Sequence, residues 1–84
     1  MSKSDNITLM ILTPQATLFE GLVEKVELPG VKGRFMILRN HAPIISSLSA
    51  GYVVYTSEGK EVKTRISSGF VRVSDNVVVV CAEV

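Results

Sequence analysis

The chain has 84 residues and a mass of 9.1 kDa, which leaves room for one small domain and no large cleft between domains. Hydrophobic residues make up 46% and charged residues 20%, a balance that excludes intrinsic disorder. A net charge of +1 gives no bulk reason to expect nucleic acid or an anionic membrane as the partner.

Thirteen valines, six isoleucines and five threonines against four alanines favour strands, because β-branched side chains lose χ1 freedom in helices and pack well on a pleated surface. Residues 1–6 are polar, too short for a signal-peptide core, and read as a flexible tail on a single domain spanning 1–84. Ile7 to Leu12 is the first strand, stopped by Thr13-Pro14. Ala16 to Phe19 follows, with a turn or bulge at Gly21; Leu22 to Leu28 is next, ended by Pro29-Gly30. Phe35 to Leu38 and Ile44 to Leu48 are short candidates. Tyr52 to Thr56 and Lys60 to Ile66 form a hairpin around Ser57-Glu58-Gly59, the second strand alternating strictly between Val62, Thr64, Ile66 and Glu61, Lys63, Arg65. Phe70 to Val73 leads through Ser74-Asp75-Asn76 into Val77 to Ala82, which is apolar on both faces and reads as a central strand covered on each side. No apolar run approaches the roughly 20 residues that span a bilayer. The reading is all-β.

Residues able to do chemistry are few. His41 is the only histidine and has no neighbouring carboxylate to orient it; Cys81 is the only cysteine and sits in the valine run. They make no metal cluster, and one thiol without a disulfide partner fits a reducing cytoplasmic setting. Glu24 and Glu27, three apart on an expected strand, face opposite sides. Gly30-Val31-Lys32-Gly33 lacks the Lys-Ser/Thr and helix of a phosphate loop and reads as a strand connection. Phe19, Phe35, Tyr52, Tyr55 and Phe70 are scattered, as core packing demands and base stacking does not. No cofactor is expected. One asymmetry stands out: from Leu28 to Ser57 there is no acidic residue, yet Lys32, Arg34, Arg39 and His41 all fall there. The loops from Val31 to Pro43 should form an electropositive rim that docks a partner with acidic or carbonyl-rich loops. A small β-barrel module binding nucleic acid or a peptide through the 31–43 loops is the competing expectation.

Leu12-Thr13-Pro14-Gln15, Leu18-Phe19-Glu20-Gly21-Leu22-Val23-Glu24, Leu28-Pro29-Gly30, His41-Ala42-Pro43-Ile44-Ile45 and Ser68-Gly69-Phe70 follow one another in an order and spacing that resembles the N-terminal β-sandwich domain of the epsilon subunit of F-type ATP synthases. The resemblance implies a small flattened β-sandwich of about ten short strands and a non-catalytic rotor subunit. It implies contact with the gamma subunit through Thr13, His41 and Ser46, and with the c-ring through Val31, Lys32, Gly33 and Arg34. The setting implied is the cytoplasmic face of the bacterial plasma membrane, held peripherally through the complex and without direct insertion. Three positions depart from the family pattern: Arg34 replaces an acidic residue, Met36 a glycine, and Arg39-Asn40 a Pro-Gly pair, which leads us to expect a different turn before His41. The family's C-terminal helical hairpin has no counterpart, so inhibition through such a hairpin is not expected.

Overall fold

The computed structural model describes residues 6–84; the tail expected at 1–6 therefore falls, except for Asn6, outside the described residues. Regular structure among them is nine strands: β1 (Ile7–Leu12), β2 (Thr17–Val23), β3 (Lys25–Gly30), β4 (Gly33–Ile37), β5 (Ile44–Leu48), β6 (Gly51–Ser57), β7 (Lys60–Ile66), β8 (Ser68–Ser74) and β9 (Val77–Glu83). One layer runs β2-β1-β9-β8-β5, with β1 and β9 parallel and the other pairs antiparallel. The other runs β4-β3-β6-β7 and is antiparallel throughout. A single backbone pair, Gly30 with Leu48, joins the layers at a corner, so the sheet folds over on itself into a flattened sandwich.

One face of each central strand fills the interior: Ile7, Leu9 and Ile11 of β1, Val78 and Val80 of β9, Val71 and Val73 of β8, Val26 and Leu28 of β3, and Val53 of β6 are all buried. Where β2 approaches β6, the rings of Phe19 and Tyr55 lie with centroids 4.4 Å apart and planes tilted by 32°, an aromatic contact between the layers. Burial pushes the Tyr55 phenol above its ordinary value.

The strand boundaries differ from the sequence reading at definite places. β2 passes through Gly21, and the break falls instead at Glu24, whose amide donates to the Thr56 carbonyl at 2.8 Å. Glu24 and Glu27 are thus not two positions of one strand. β3 continues through Pro29 to Gly30, because Pro29 occupies a rung where its carbonyl alone is used, accepting from the Ser49 amide at 2.8 Å and the Ser49 hydroxyl at 3.2 Å. The valine run is central, between β1 and β8, but covered on one side only. Val78, Val80 and Ala82 are buried, Val77 is exposed, and Val79 and Cys81 are half-buried on the outer face. A two-layer sandwich has one interior, so a strand apolar on both faces shows one of them outside.

Candidate functional site

That outer face is the first candidate surface. Register aligns Glu20, Met10, Val79, Arg72 and Ile45 in one row across β2-β1-β9-β8-β5, and Leu12, Cys81, Phe70 and Ser47 in the next. Leu22 and Val77 extend the surface beside Thr8. Ile45 is 75% exposed and Phe70 49%. An outer sheet face normally alternates to polar residues where it meets water, and a contiguous apolar one marks a protein contact. Two hollows flank it, one of about 680 Å³ against Leu12, Thr13 and Phe70 and one of about 370 Å³ between Pro43, Ile45 and Arg72. Sequence reading missed these residues, although the run apolar on both faces was their signal. Two aromatics taken for core, Phe70 and Tyr52, are half exposed, and Cys81 is not enclosed in the valine run.

The second surface is the tip of the β3–β4 hairpin. Val31 and Lys32 form its two-residue turn, closed by the Gly30–Gly33 pair, with Gly33 at φ 131, a left-handed value that glycine takes without a Cβ penalty. A side chain at Gly30 would meet the Gly33 carbonyl oxygen at 2.6 Å, so the turn requires glycine there for space as well. The Val31 amide donates to the Ser47 carbonyl at 3.1 Å, tying the tip to β5. Arg34 Nη1 donates to the Tyr52 carbonyl at 3.0 Å, and its Nη2 lies 3.7 Å from Glu27 Oε1. Between tip and β5 lies a cleft of about 610 Å³ lined by Gly30 to Phe35 and by Ile45, Ser46 and Ser47.

The structure brings Ser46 into this cleft beside Val31, Lys32, Gly33 and Arg34, not into a patch with Thr13 and His41. Thr13 stands at the end of β1, where its hydroxyl is committed to its own turn: it accepts from the Ala16 amide at 3.0 Å and donates to the Ala16 carbonyl at 3.1 Å. His41 lies at the opposite end of that layer, with Nδ1 2.7 Å from the Ala42 carbonyl, which keeps the proton on Nδ1. In the turn before it Asn40 adopts φ 67 and is fixed to Asn76: its amide donates to Asn76 Oδ1 at 2.6 Å and its Oδ1 accepts from Asn76 Nδ2 at 3.3 Å. The single electropositive rim is not formed. Strand β4 puts Lys32 and Arg34 at one end and Arg39 and His41 at the other, and Arg39 is occupied by the Asn6 carbonyl at 3.0 Å. Among the described residues no three His, Cys, Asp or Glu side chains group closely enough to hold a metal ion.

A family model described as the β-sandwich domain of the ATP synthase delta/epsilon chain matches residues 6–84. The chain is similar to a protein named ATP synthase epsilon chain of Desulfitobacterium hafniense, 45% identical over 76 residues that make up 90% of this chain and 58% of that one. It is also similar to the ATP synthase epsilon chain of Carboxydothermus hydrogenoformans, 44% identical over 79 residues, 94% of this chain and 59% of the relative. It thus spans somewhat over half the length of these relatives. Its fold matches a chain in the cryo-EM structure of the Euglena gracilis mitochondrial ATP synthase OSCP/F1/c-ring, with a TM-score of 0.86 and 24% identity over 92% of this chain and 50% of that one. A chain of the Tetrahymena thermophila mitochondrial ATP synthase central stalk and c-ring matches with a TM-score of 0.78 and 14% identity, over 99% and 67% of the two chains. None of these comparisons favours a nucleic-acid or peptide barrel.

Proposed function

The chain belongs to the β-sandwich-domain family of ATP synthase delta and epsilon chains, and from that premise we propose that it is a non-catalytic subunit of the central rotor stalk, joining the gamma subunit to the c-ring at the cytoplasmic face of a bacterial membrane. The observation that carries the reading is the pairing of an exposed apolar sheet face with a rigid hairpin tip on the same small sandwich. The apolar face, with Ile45 and Phe70 most exposed, suits gamma, since burying its apolar groups releases ordered water while Arg72, set between Val79 and Ile45, offers a cation for a polar partner group. The Val31–Arg34 tip suits the polar loops of the c-ring, because Lys32 and the unspent donors of Arg34 reach outward from a backbone held at both Gly30 and Ser47.

Such a subunit makes and breaks no bond. It transmits torque by stiffness: the two layers close on one packed core and the tip is tied to β5 through the Gly30–Leu48 pair and the Val31 amide, so a push at the tip is carried to the apolar face. The names of the relatives as epsilon chains support the role. The test is to add this chain to a proteoliposome-embedded ATP synthase stripped of its epsilon subunit. Restored proton-driven ATP synthesis, with the chain co-purifying with gamma and the c-ring, is the expected result. A chain that remains free in solution and leaves synthesis at the depleted level overturns the reading.

A further inference from the structure

We propose that Arg72 sets the choice and seating of the partner on the five-stranded face, by pairing with a carboxylate that gamma supplies. The inference rests on the docking reading above and adds the chemistry that gamma must bring. On β8 the side chains of Phe70, Arg72 and Ser74 point outward, alternating with buried Val71 and Val73. Register places Val79 of β9 beside Arg72 on one side and Ile45 of β5 on the other. Cross-strand neighbours stand about 5 Å apart, and Phe70 is about 7 Å along the strand. A surface that covers Ile45, Phe70 and Val79 together must therefore pass over the guanidinium.

The domain itself does not neutralise that charge. Among the described residues the hydrogen-bonded arginine side chains are Arg34 and Arg39, the ion pair is Arg34 with Glu27, and Arg72 has neither kind of partner. Glu20 shares its row but lies three strands away, about 14 Å, and Glu83 stands two rows off, opposite Ser68. Hollows of about 370 Å³ toward Pro43 and Ile45 and about 280 Å³ toward Val77 and Val79 flank the Arg72 stem, and Ser74 lines both. An acidic side chain entering either one meets a guanidinium, a hydroxyl donor and aliphatic walls. Taking an unpaired guanidinium out of water opposes docking unless an opposite charge meets it. Backbone carbonyls satisfy its N–H groups without cancelling the charge, whereas a carboxylate does both and matches the planar fork with two bonds. Glu20 differs: it stands on edge strand β2, with Met10 on its inner side and no strand beyond, so it keeps its water when the face is covered.

Titration calorimetry of the 84-residue chain against gamma tests this, with the native chain, Arg72→Met, Arg72→Lys and Glu20→Gln. Arg72→Met keeps an unbranched stem and adds apolar surface, so it separates charge from packing. It should weaken binding at least about thirty-fold, chiefly through faster dissociation, while Arg72→Lys loses less and Glu20→Gln less than about five-fold. Its urea midpoint should match the native one, because Arg72 has no partner to lose in the isolated domain. Alanine replacement of gamma's Asp and Glu residues should then reveal one whose loss weakens the native chain by a similar factor and leaves Arg72→Met unaffected. Binding of Arg72→Met within about ten-fold of native, an equal loss from Glu20→Gln, or a set of gamma variants none of which couples to Arg72 overturns the proposal and leaves the docking reading standing. A native chain that does not bind gamma overturns both.

Discussion

Replacing Phe70 with alanine separates docking from folding. Fully burying a phenylalanine is worth about 1.5–3 kcal/mol, and Phe70 is 49% exposed, so about half of that, roughly 0.7–1.5 kcal/mol, remains to be gained when gamma covers it. The dissociation constant for gamma should rise about three- to thirteen-fold. Ile45, 75% exposed, has more left to bury, and Ile45→Ala should weaken binding about six- to forty-fold. The two side chains sit in adjacent rows on β8 and β5. As neighbours under one partner surface they should couple, so the double variant should weaken binding more than either single change but by less than the product of the two. The fold loses only the buried half of Phe70, about 1 kcal/mol, which urea denaturation will register as a small shift of midpoint. Titration calorimetry against gamma reads the affinity. Lys63→Ala, on the four-stranded layer, should leave affinity unchanged. Unaltered binding by the Ile45 and Phe70 variants, or an equal loss from Lys63→Ala, refutes the reasoning.

Gly69→Ala should destabilise the domain by about 2–4 kcal/mol in chemical denaturation, since its Cβ would stand 2.4 Å from the Cys81 carbonyl oxygen and 3.0 Å from Ala82 Cα, neither free to move; a loss no larger than that of Gly59→Ala, whose Cβ meets nothing within 4 Å, would contradict this. The raised pKa of Tyr55 favours the neutral phenol in the folded state. Its contribution is fully present below the ordinary value of about 10 and is lost as pH rises through the folded value, so Tyr55→Phe should flatten the alkaline fall in stability; equal slopes would disprove it. Asn40→Val should cost about 1–2 kcal/mol more than Asn40→Gly, because φ 67 burdens a β-branched residue and not glycine; thermal melts of equal midpoint would rule out the left-handed turn.

The all-β architecture was legible because β-branched residues and turn signals agree along the whole chain, most clearly in the strict alternation of Lys60–Ile66. Breaks were less legible. Gly21 and Pro29 look like punctuation, yet a two-layer fold tolerates both where the ladder does not need a side chain or an amide. The grouping of Lys32, Arg34, Arg39 and His41 failed because proximity in sequence spans strand β4, whose five residues at about 3.3 Å each separate the hairpin tip from the Arg39–His41 turn. The apolar outer face was written into Val77–Cys81, but recognising it required counting interiors as well as strands.

Cross-linking in the assembled synthase tests the central claim that two surfaces of one sandwich serve two partners. In a Cys81→Ala background, Ile45→Cys and Lys32→Cys are introduced in separate chains and each complex is treated with a short thiol-to-amine reagent. The account predicts that position 45 joins the chain to gamma and position 32 joins it to the c-ring subunit. Cross-links from both positions to the same partner, or to the catalytic subunits, would contradict it.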